Sequence, residues 1–594
     1  MKKTILLTIT ALIAAFSARA DIVPQSKARS VAGEFMESSS LTLAWDGADV
    51  ATKSGDEEPA FYVYNVSGGG WVMVSAEDCA VPILAYGRSG EFAADKMPAN
   101  MRAWIEGMKS EILSARASKV VANENVKARW ANPKGKVTRA GSGEKVLTTA
   151  SWDQTRPYNN LLSTYVKDGD TGVEGLYTGC VATAMSIVMR YHKWPEHGTG
   201  TLDGYTTTSE GYTVASYSIE DHVYDWDNMP LTDGYYSSNG WTEDQKREVA
   251  QVMADAGVMV QMDYTTGGSG AMTADIIPAL TTHMQYSKAA TFKAKSNYKT
   301  SDWMDMIVDD IDNCGPILYG GYDPDEGGHQ FICDGYDTAN TMIHINWGWG
   351  GYCNDFFAFD LDIPNSYTFS EDQDAIFGLV PDKTGTSVEA DPDVDMYTYY
   401  SITNNTRYGE GIEVTSGTVA KGEDFTLNTG AYTVSSDAKV YFKAVLVDKD
   451  GDWKEDISGT GSVSLRAGYI YPNLTFNCSI SSDISLGDRI AIWYKVSGDW
   501  KPVLTPVSDY SYPWTYACWD ANFIAVEDSY SAGDVFTFEL IPGNQSISDV
   551  TWYFDGAMTA AEYLSLSKGE HTVEAEIDFA DGTSEVITQV LNVQ

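Results

Sequence analysis

Cysteine is scarce in this chain: seven residues in 594, at positions 79, 180, 314, 333, 353, 478 and 518. So few, and an odd number, exclude a disulfide framework as the main source of stability and leave at least one thiol free or paired to another chain. No two of them have the spacing of a zinc ribbon, and neither a metal nor a cofactor is expected. Positive charge is also short, with 40 Lys and Arg against 83 Asp and Glu and a formal net charge of −43. Nothing here neutralises phosphates along an extended face, which excludes a nucleic-acid partner. The acidity fits solubility outside the cell. Beyond the N-terminus no segment reaches about 18 consecutive apolar residues, so no membrane span is expected.

What is present begins with an export signal. Lys2 and Lys3 precede an apolar run from Ile5 to Phe16, and Ala18-Arg19-Ala20 has the small-x-small pattern of a signal-peptidase site. Residues 1–20 are therefore expected to be a signal peptide, and the mature protein to be secreted or held in the cell envelope. Asp21 follows instead of a cysteine, so no lipid anchor is suggested.

The length exceeds what one core supports and predicts several units. Residues 21 to about 115 read as a small α+β unit, with strands at Phe61–Val66, Trp71–Ser75 and Ile83–Tyr86 and a helix over Met97–Leu113. From Lys109 to Lys145 there are nine basic residues against three acidic ones. That stretch suits either an interdomain linker or a site of proteolytic nicking. Residues 146–382 mix helical and strand patterns and hold six of the seven histidines. After Pro381-Asp382-Lys383 come short alternating strands such as Val440–Val447, Arg489–Val496 and Thr572–Ile577, the pattern of β-sandwich modules. Lys421–Leu427 echoes Ala532–Phe538 about 111 residues on, near the length of one immunoglobulin-like domain, which implies two such modules. Asp448-Lys449-Asp450-Gly451-Asp452 looks like a calcium loop but lacks the turn glycine and the bidentate Glu at the required offsets, so it reads as a hairpin turn.

Chemistry points to residues 177–191. Val181, Ala184, Met185 and Val188 recur at helical spacing and place Cys180 on the first turn of a helix. Unpaired backbone N–H groups and the helix dipole lower a thiol's pKa there and favour the thiolate. A thiolate needs a base, and the base needs an orienting group. His192 lies twelve residues on, roughly 18 Å along the helix, too far to reach the thiol. His329 follows Gly327-Gly328 and opens a strand-like run to Tyr336. His344 sits in a second run, Met342–Trp347, on one face with Asn346. Two readings stay open: His344 as base, or Asn346 as the orienting group for His329.

The stretches Tyr177–Met185, Gly328–Tyr336 and His344–Gly351 resemble the cysteine, histidine and asparagine-tryptophan blocks of the streptopain family of papain-like cysteine endopeptidases. Ser151–Asn159 is similar to the family's segment bearing the oxyanion-hole glutamine. The resemblance covers about residues 40–382. It implies Cys180 as nucleophile, His329 as general base and later acid, Asn346 as the group that orients the imidazole, Gln154 as oxyanion donor and Trp347 as a shield over the His329–Asn346 contact. His344 then becomes a satisfied strand residue. Gln330 and Tyr352-Cys353-Asn354 depart from the family pattern.

The implied architecture is an α+β papain-like domain (136–383) preceded by a small α+β inhibitory propeptide with a basic activation segment (21–135). Two immunoglobulin-like all-β sandwiches follow (384–520 and 521–594). The implied function is a secreted zymogen endopeptidase acting on protein or peptide substrates, with its own propeptide as intramolecular inhibitor. An apolar residue at the second position before the cut would be preferred, so Trp130, Val137 or Val146 is expected to guide processing. The alternatives are an adhesin binding host protein or glycan through the C-terminal modules, or a transglutaminase-like acyl transferase, against which Asn346 weighs because an aspartate is more usual there.

Overall fold

The computed structural model describes residues 22–47, 59–134, 143–232, 240–323, 327–363, 373–397, 399–401, 406–408, 411–449, 451–466, 469–472, 474–485, 487–506, 514–518, 522–524, 526, 529–543, 547–559, 563–579 and 582–593. The expected signal peptide, Val137 and part of the basic segment lie outside these residues. All seven cysteines are unbridged.

The N-terminal unit contains helix α1 (Gln25–Phe35), strands β1 (Leu41–Trp45), β2 (Phe61–Val66), β3 (Trp71–Ser75) and β4 (Ile83–Gly87), and helices α2 (Ala99–Ser118) and α3 (Glu124–Ala131). Helix α2 buries Met101, Trp104, Ile105, Met108, Ile112 and Ala115. Their three- and four-residue spacing turns one continuous apolar stripe inward. Next come strand β5 (Glu144–Val146), helices α4 (Cys180–His192) and α5 (Glu243–Met259), strand β6 (Thr291–Ala294) and helix α6 (Thr300–Asn313). Strands β7 (Ile317–Asp323), β8 (Gly327–Asp337), β9 (Met342–Asn346), β10 (Asp355–Ala358) and β11 (Gln373–Phe377) complete the central region.

The strands of the N-terminal unit continue the central sheet, in the order β1-β2-β3-β4-β10-β9-β8-β7-β11-β6, with β5 pairing β8. The seam is the antiparallel pairing of Phe356 with Tyr86 and Phe357 with Ala85. Local strand patterns cannot reveal such a join, because edge strands of two units look alike until one covers the other.

The two faces of the central strands belong to different cores. On one face Tyr319, Phe331, Cys333, Ile343 and Ile345 pack with Trp104, Ile105 and Met108 of α2 and with Trp303 and Ile307 of α6. On the other, Leu318, Ile332 and Ile376 pack with Val181, Met185 and Val188 of α4 and with Val249, Val252 and Met253 of α5. Alternation along each strand feeds both layers.

Beyond residue 390 the described structure is all β. One core contains Val394, Leu427, Phe442, Leu446, Ile490 and Tyr494. A separate one contains Phe536, Val573, Ile577 and Leu591. Of the expected hairpin turn, Asp450 lies outside the described residues; between the strands Ala438–Val447 and Trp453–Asp456 the Asp448 amide donates to the Asp452 carbonyl at 2.9 Å. Edge strand β6 of the large sheet is met by this region: Lys293 pairs with Asp393, and Asn297 Nδ2 donates to Asp395 Oδ1 at 2.8 Å.

At the seam, Trp71 Nε1 of β3 donates to Asp355 Oδ2 of β10 at 2.8 Å. Burial pushes the Asp355 carboxyl up to about 7, against the pull of that hydrogen bond and of the His344 ring. An acid whose folded pKa is raised contributes stability below its ordinary value, and that contribution is lost as pH rises through the folded value. In a Cys180→Ala chain, Asp355→Asn is expected to gain stability relative to its parent as pH rises from about 5 to about 8. Thermal unfolding across that range checks this; a pH-independent difference in Tm would contradict it.

Candidate active site

Cys180 is the first residue of α4, as its sequence predicts. The turn before it requires Gly179: its φ is +89°, and a Cβ there would stand 2.6 Å from Met262 Sδ and 2.9 Å from the Ser269 carbonyl. The segment carrying Gln154 bridges the two loops around this helix end. Thr178 N–H donates to the Gln154 carbonyl at 3.1 Å, and Gly350 N–H donates to the Trp152 carbonyl at 2.9 Å. The rings of Tyr177 and Trp349 meet edge-on at 5.9 Å, closing the arrangement from outside. Gln154 is buried.

The thiol differs from expectation. A position at the start of a helix predicts a lowered pKa. Here burial pushes Cys180 up, and the backbone N–H groups of Gln330 and Val181 only partly oppose it. The thiol in this form is poorly disposed to ionise.

Within β8 the residues alternate. Phe331 and Cys333 face the core shared with α2, while Ile332 faces α4. His329 therefore shares the face of Phe331, and Gln330 that of Ile332. Register supports this placement. His329 pairs with Gly321, where a Cβ would lie 3.5 Å from the Trp104 ring. On the opposite face, the buried Gln330 carboxamide accepts a hydrogen bond from Thr273 Oγ1 at 3.4 Å. The glycine turn before His329 suggests a side chain at the mouth of a cleft, and the family resemblance implies a propeptide that covers the cleft and displaces this histidine. The structure puts the backbone of the next residue against Cys180 and turns the imidazole to the N-terminal unit. Shifting a strand by one residue exchanges its faces, so bringing His329 to Cys180 requires residues around 329 to rotate or slip by one position. Gln330 Nε2 is buried without a hydrogen-bond partner among the described residues. Such a group costs about 1–3 kcal/mol, a penalty on this arrangement.

Helix α2 holds the arrangement in place. Trp104 packs edge-on against Phe331 at 5.5 Å and Trp347 at 6.3 Å, and its Nε1 donates to the Ala358 carbonyl at 3.2 Å. Asn100 Nδ2 donates to the Trp347 carbonyl at 2.8 Å. Trp347 is fully buried in this cluster, and its Nε1 donates to the Cys353 carbonyl at 3.0 Å.

Asn346 lies on the other face of β9. Its Nδ2 donates to Thr149 Oγ1 at 3.0 Å and to the Ala150 carbonyl at 2.9 Å, and its Oδ1 accepts from Gly348 N–H at 3.2 Å. His344 shares that face, with Nδ1 2.5 Å from Asp334 Oδ1. The structure thus brings Gln154, Cys180 and Asn346 around one helix end and holds His329 away. Thr149 and Asp334, both tied into the Asn346 surroundings, carried no signal in sequence because neither sits in a distinctive local pattern. Among the expected processing guides, Trp130 is anchored in α3 with its Nε1 donating to the Ala80 carbonyl at 2.9 Å, and Val146 is paired with Gly335 in the sheet.

Comparison with known proteins adds to this geometry. The model of the Peptidase C10 family matches residues 152–357, and that of the Spi protease inhibitor matches residues 20–112. Streptopain of Streptococcus pyogenes is 32% identical over 355 residues, which are 54% of this chain and 80% of streptopain. The thiol protease/hemagglutinin PrtT of Porphyromonas gingivalis is 30% identical over 392 residues, 63% of this chain. The match spans 44% of PrtT, less than half its length. A solved structure of prointerpain A from Prevotella intermedia superposes with a TM-score of 0.46 and 27% identity, over 57% of this chain and 99% of that one.

Loosening α2 should free strand β8 and with it the surroundings of the half-buried thiol. In a His329→Ala background, Trp104→Ala removes about 3 kcal/mol of packing. It is expected to speed alkylation of Cys180 by iodoacetamide at least about tenfold. Mass spectrometry reads the site; equal labelling of buried Cys79 would indicate general unfolding instead, and an unchanged Cys180 rate would refute the role given to Trp104.

Proposed function

Because the chain belongs to the Peptidase C10, or streptopain, family, we propose that it is an exported cysteine endopeptidase made in a latent form and activated when residues 21–135 are removed. The observation that carries this reading is the separation of Cys180 and His329 onto opposite sides of β8 beneath a helix of the N-terminal unit. A complete set of groups held apart by a removable cover is what a zymogen needs.

After removal of the cover, His329 takes the Cys180 proton and the thiolate attacks the scissile carbonyl. The oxyanion is stabilised by the Gln154 amide and the Cys180 backbone N–H, groups preorganised at the helix end. Asn346 Oδ1 accepts from the other ring nitrogen of His329, the role of the third triad member. Trp347 screens that contact from water. His329 then protonates the leaving amine, and water releases the acyl group from Cys180. An apolar residue at the second position before the cut is the proposed preference. The central domain is assigned to residues 136–383. The units at 384–520 and 521–594 are proposed to be immunoglobulin-like sandwiches that bind a host protein or glycan, a reading favoured by the hemagglutinin in the name of PrtT.

Cys180→Ala is expected to abolish cleavage of fluorogenic peptides and to accumulate at unprocessed length by mass spectrometry. Spontaneous shortening of the purified variant to the wild-type product would refute self-processing. Gln154→Ala is expected to lower kcat by about 10²–10³-fold, the usual loss for one oxyanion donor. A rise in KM with kcat unchanged would remove Gln154 from that role.

A further inference from the structure

Strand β8 has a β-bulge beside β9. Cys333 pairs with Ile345 and Gly335 with His344, which leaves Asp334 as the extra residue. A bulge re-aims the side chain it carries, and bulges cluster near functional sites. Here Asp334 turns to the face of β9 that carries His344 and Asn346. Its Oδ1 accepts from His344 Nδ1 at 2.5 Å, and its Oδ2 accepts from the Thr149 hydroxyl. Thr149 Oγ1 in turn accepts from Asn346 Nδ2 at 3.0 Å. Asp334 is fully buried and His344 nearly so.

The direction of this chain is fixed by its chemistry. Asp334 accepts on both oxygens, so the Thr149 proton points at Asp334. A hydroxyl has one proton, and Thr149 can then only accept from Asn346. Both amide hydrogens of Asn346 are thereby spent on Thr149 and Ala150, and Oδ1 keeps a lone pair beyond the one given to Gly348 N–H. Without Asp334 the Thr149 proton is free to turn toward Asn346 Nδ2, donor against donor, and only the Ala150 carbonyl and Gly348 N–H are left to hold the amide. A looser amide presents Oδ1 less well to the N–H of an incoming imidazole.

We propose that His344, Asp334 and Thr149 form a buried positioning chain that holds the Asn346 carboxamide with Oδ1 presented to His329 in the active enzyme. This rests on the reading of Asn346 as the third member of the triad. The state of His344 supports it: burial would lower the ring's pKa, but Asp334, the nearby Asp355 and the Asn354 carbonyl outweigh burial and raise it. Phe356 closes the pocket with its ring edge-on to His344 at 5.1 Å.

The test uses the self-processed enzyme and a fluorogenic peptide. Thr149→Val should lower kcat by about threefold to tenfold, the worth of one hydrogen bond, with KM unchanged. Thr149→Ser, which keeps the hydroxyl, should restore most of kcat. Asp334→Asn should reproduce the loss and serves as a second route should Thr149→Val fold poorly. In an Asn346→Ala background, Thr149→Val should cost nothing further, because the group it positions is gone. Equal loss from Thr149→Val with and without Asn346, or no rescue by serine, would overturn the chain. If Asn346→Ala itself left kcat unchanged, the triad reading would fail; an Asn346→Ala defect with a silent Thr149→Val would defeat only the positioning chain.

Discussion

Strand β8 places consecutive side chains on opposite faces of a sheet, and each face has its own core. Ile332 and Phe331 are both buried, one against α4 and the other against Trp104, Tyr319 and Trp347. Neither can move to the other face without exposing an aromatic ring or leaving a cavity. His329 and Gln330 inherit their positions from these neighbours. The separation of thiol and imidazole is therefore a register property of a well-packed strand, and it persists only while the packing on the α2 side does.

This explains why the N-terminal unit is built into the sheet instead of resting on it. Pairing β4 with β10 gives the covering unit a backbone ladder, and Trp71 and Tyr86 add hydrogen bonds to Asp355 and Asp337, each at 2.8 Å. Helix α2 then supplies the aromatic surface that keeps Phe331 and Trp347 in place. The grip is broad, so no single polar contact governs it. Cutting the connection between the two units converts this intramolecular cover into a dissociable one, because the ladder and the aromatic packing no longer benefit from tethering.

Much of the site was legible beforehand. The helix starting at Cys180, the strands bearing His329 and Asn346, and the glycine-rich turn after Trp347 all follow from local spacing, since helix and strand periodicity is written in neighbouring residues. The strands at Phe61–Val66 and Trp71–Ser75 were legible for the same reason, as were parts of Ala438–Val447 and Gly569–Phe579, read as Val440–Val447 and Thr572–Ile577. In place of the lowered thiol pKa expected at the helix start there is a raised one, because burial by tertiary packing outweighs the backbone N–H groups. The link from Asn346 through Thr149 and Asp334 to His344 was equally hidden. It joins three chain segments, and a bulge decides where Asp334 points.

The amino-acid sequence by itself determined which side chains are available for chemistry, a thiol, an imidazole and two carboxamides, because these are residue identities, and it determined the local elements that carry them. Only the tertiary structure decided their state. Which face of β8 meets α4, which unit borders β10 and how deeply the thiol is buried depend on contacts between residues distant in the chain. Those contacts are chosen by the joint packing of two cores across one sheet, which no local pattern encodes.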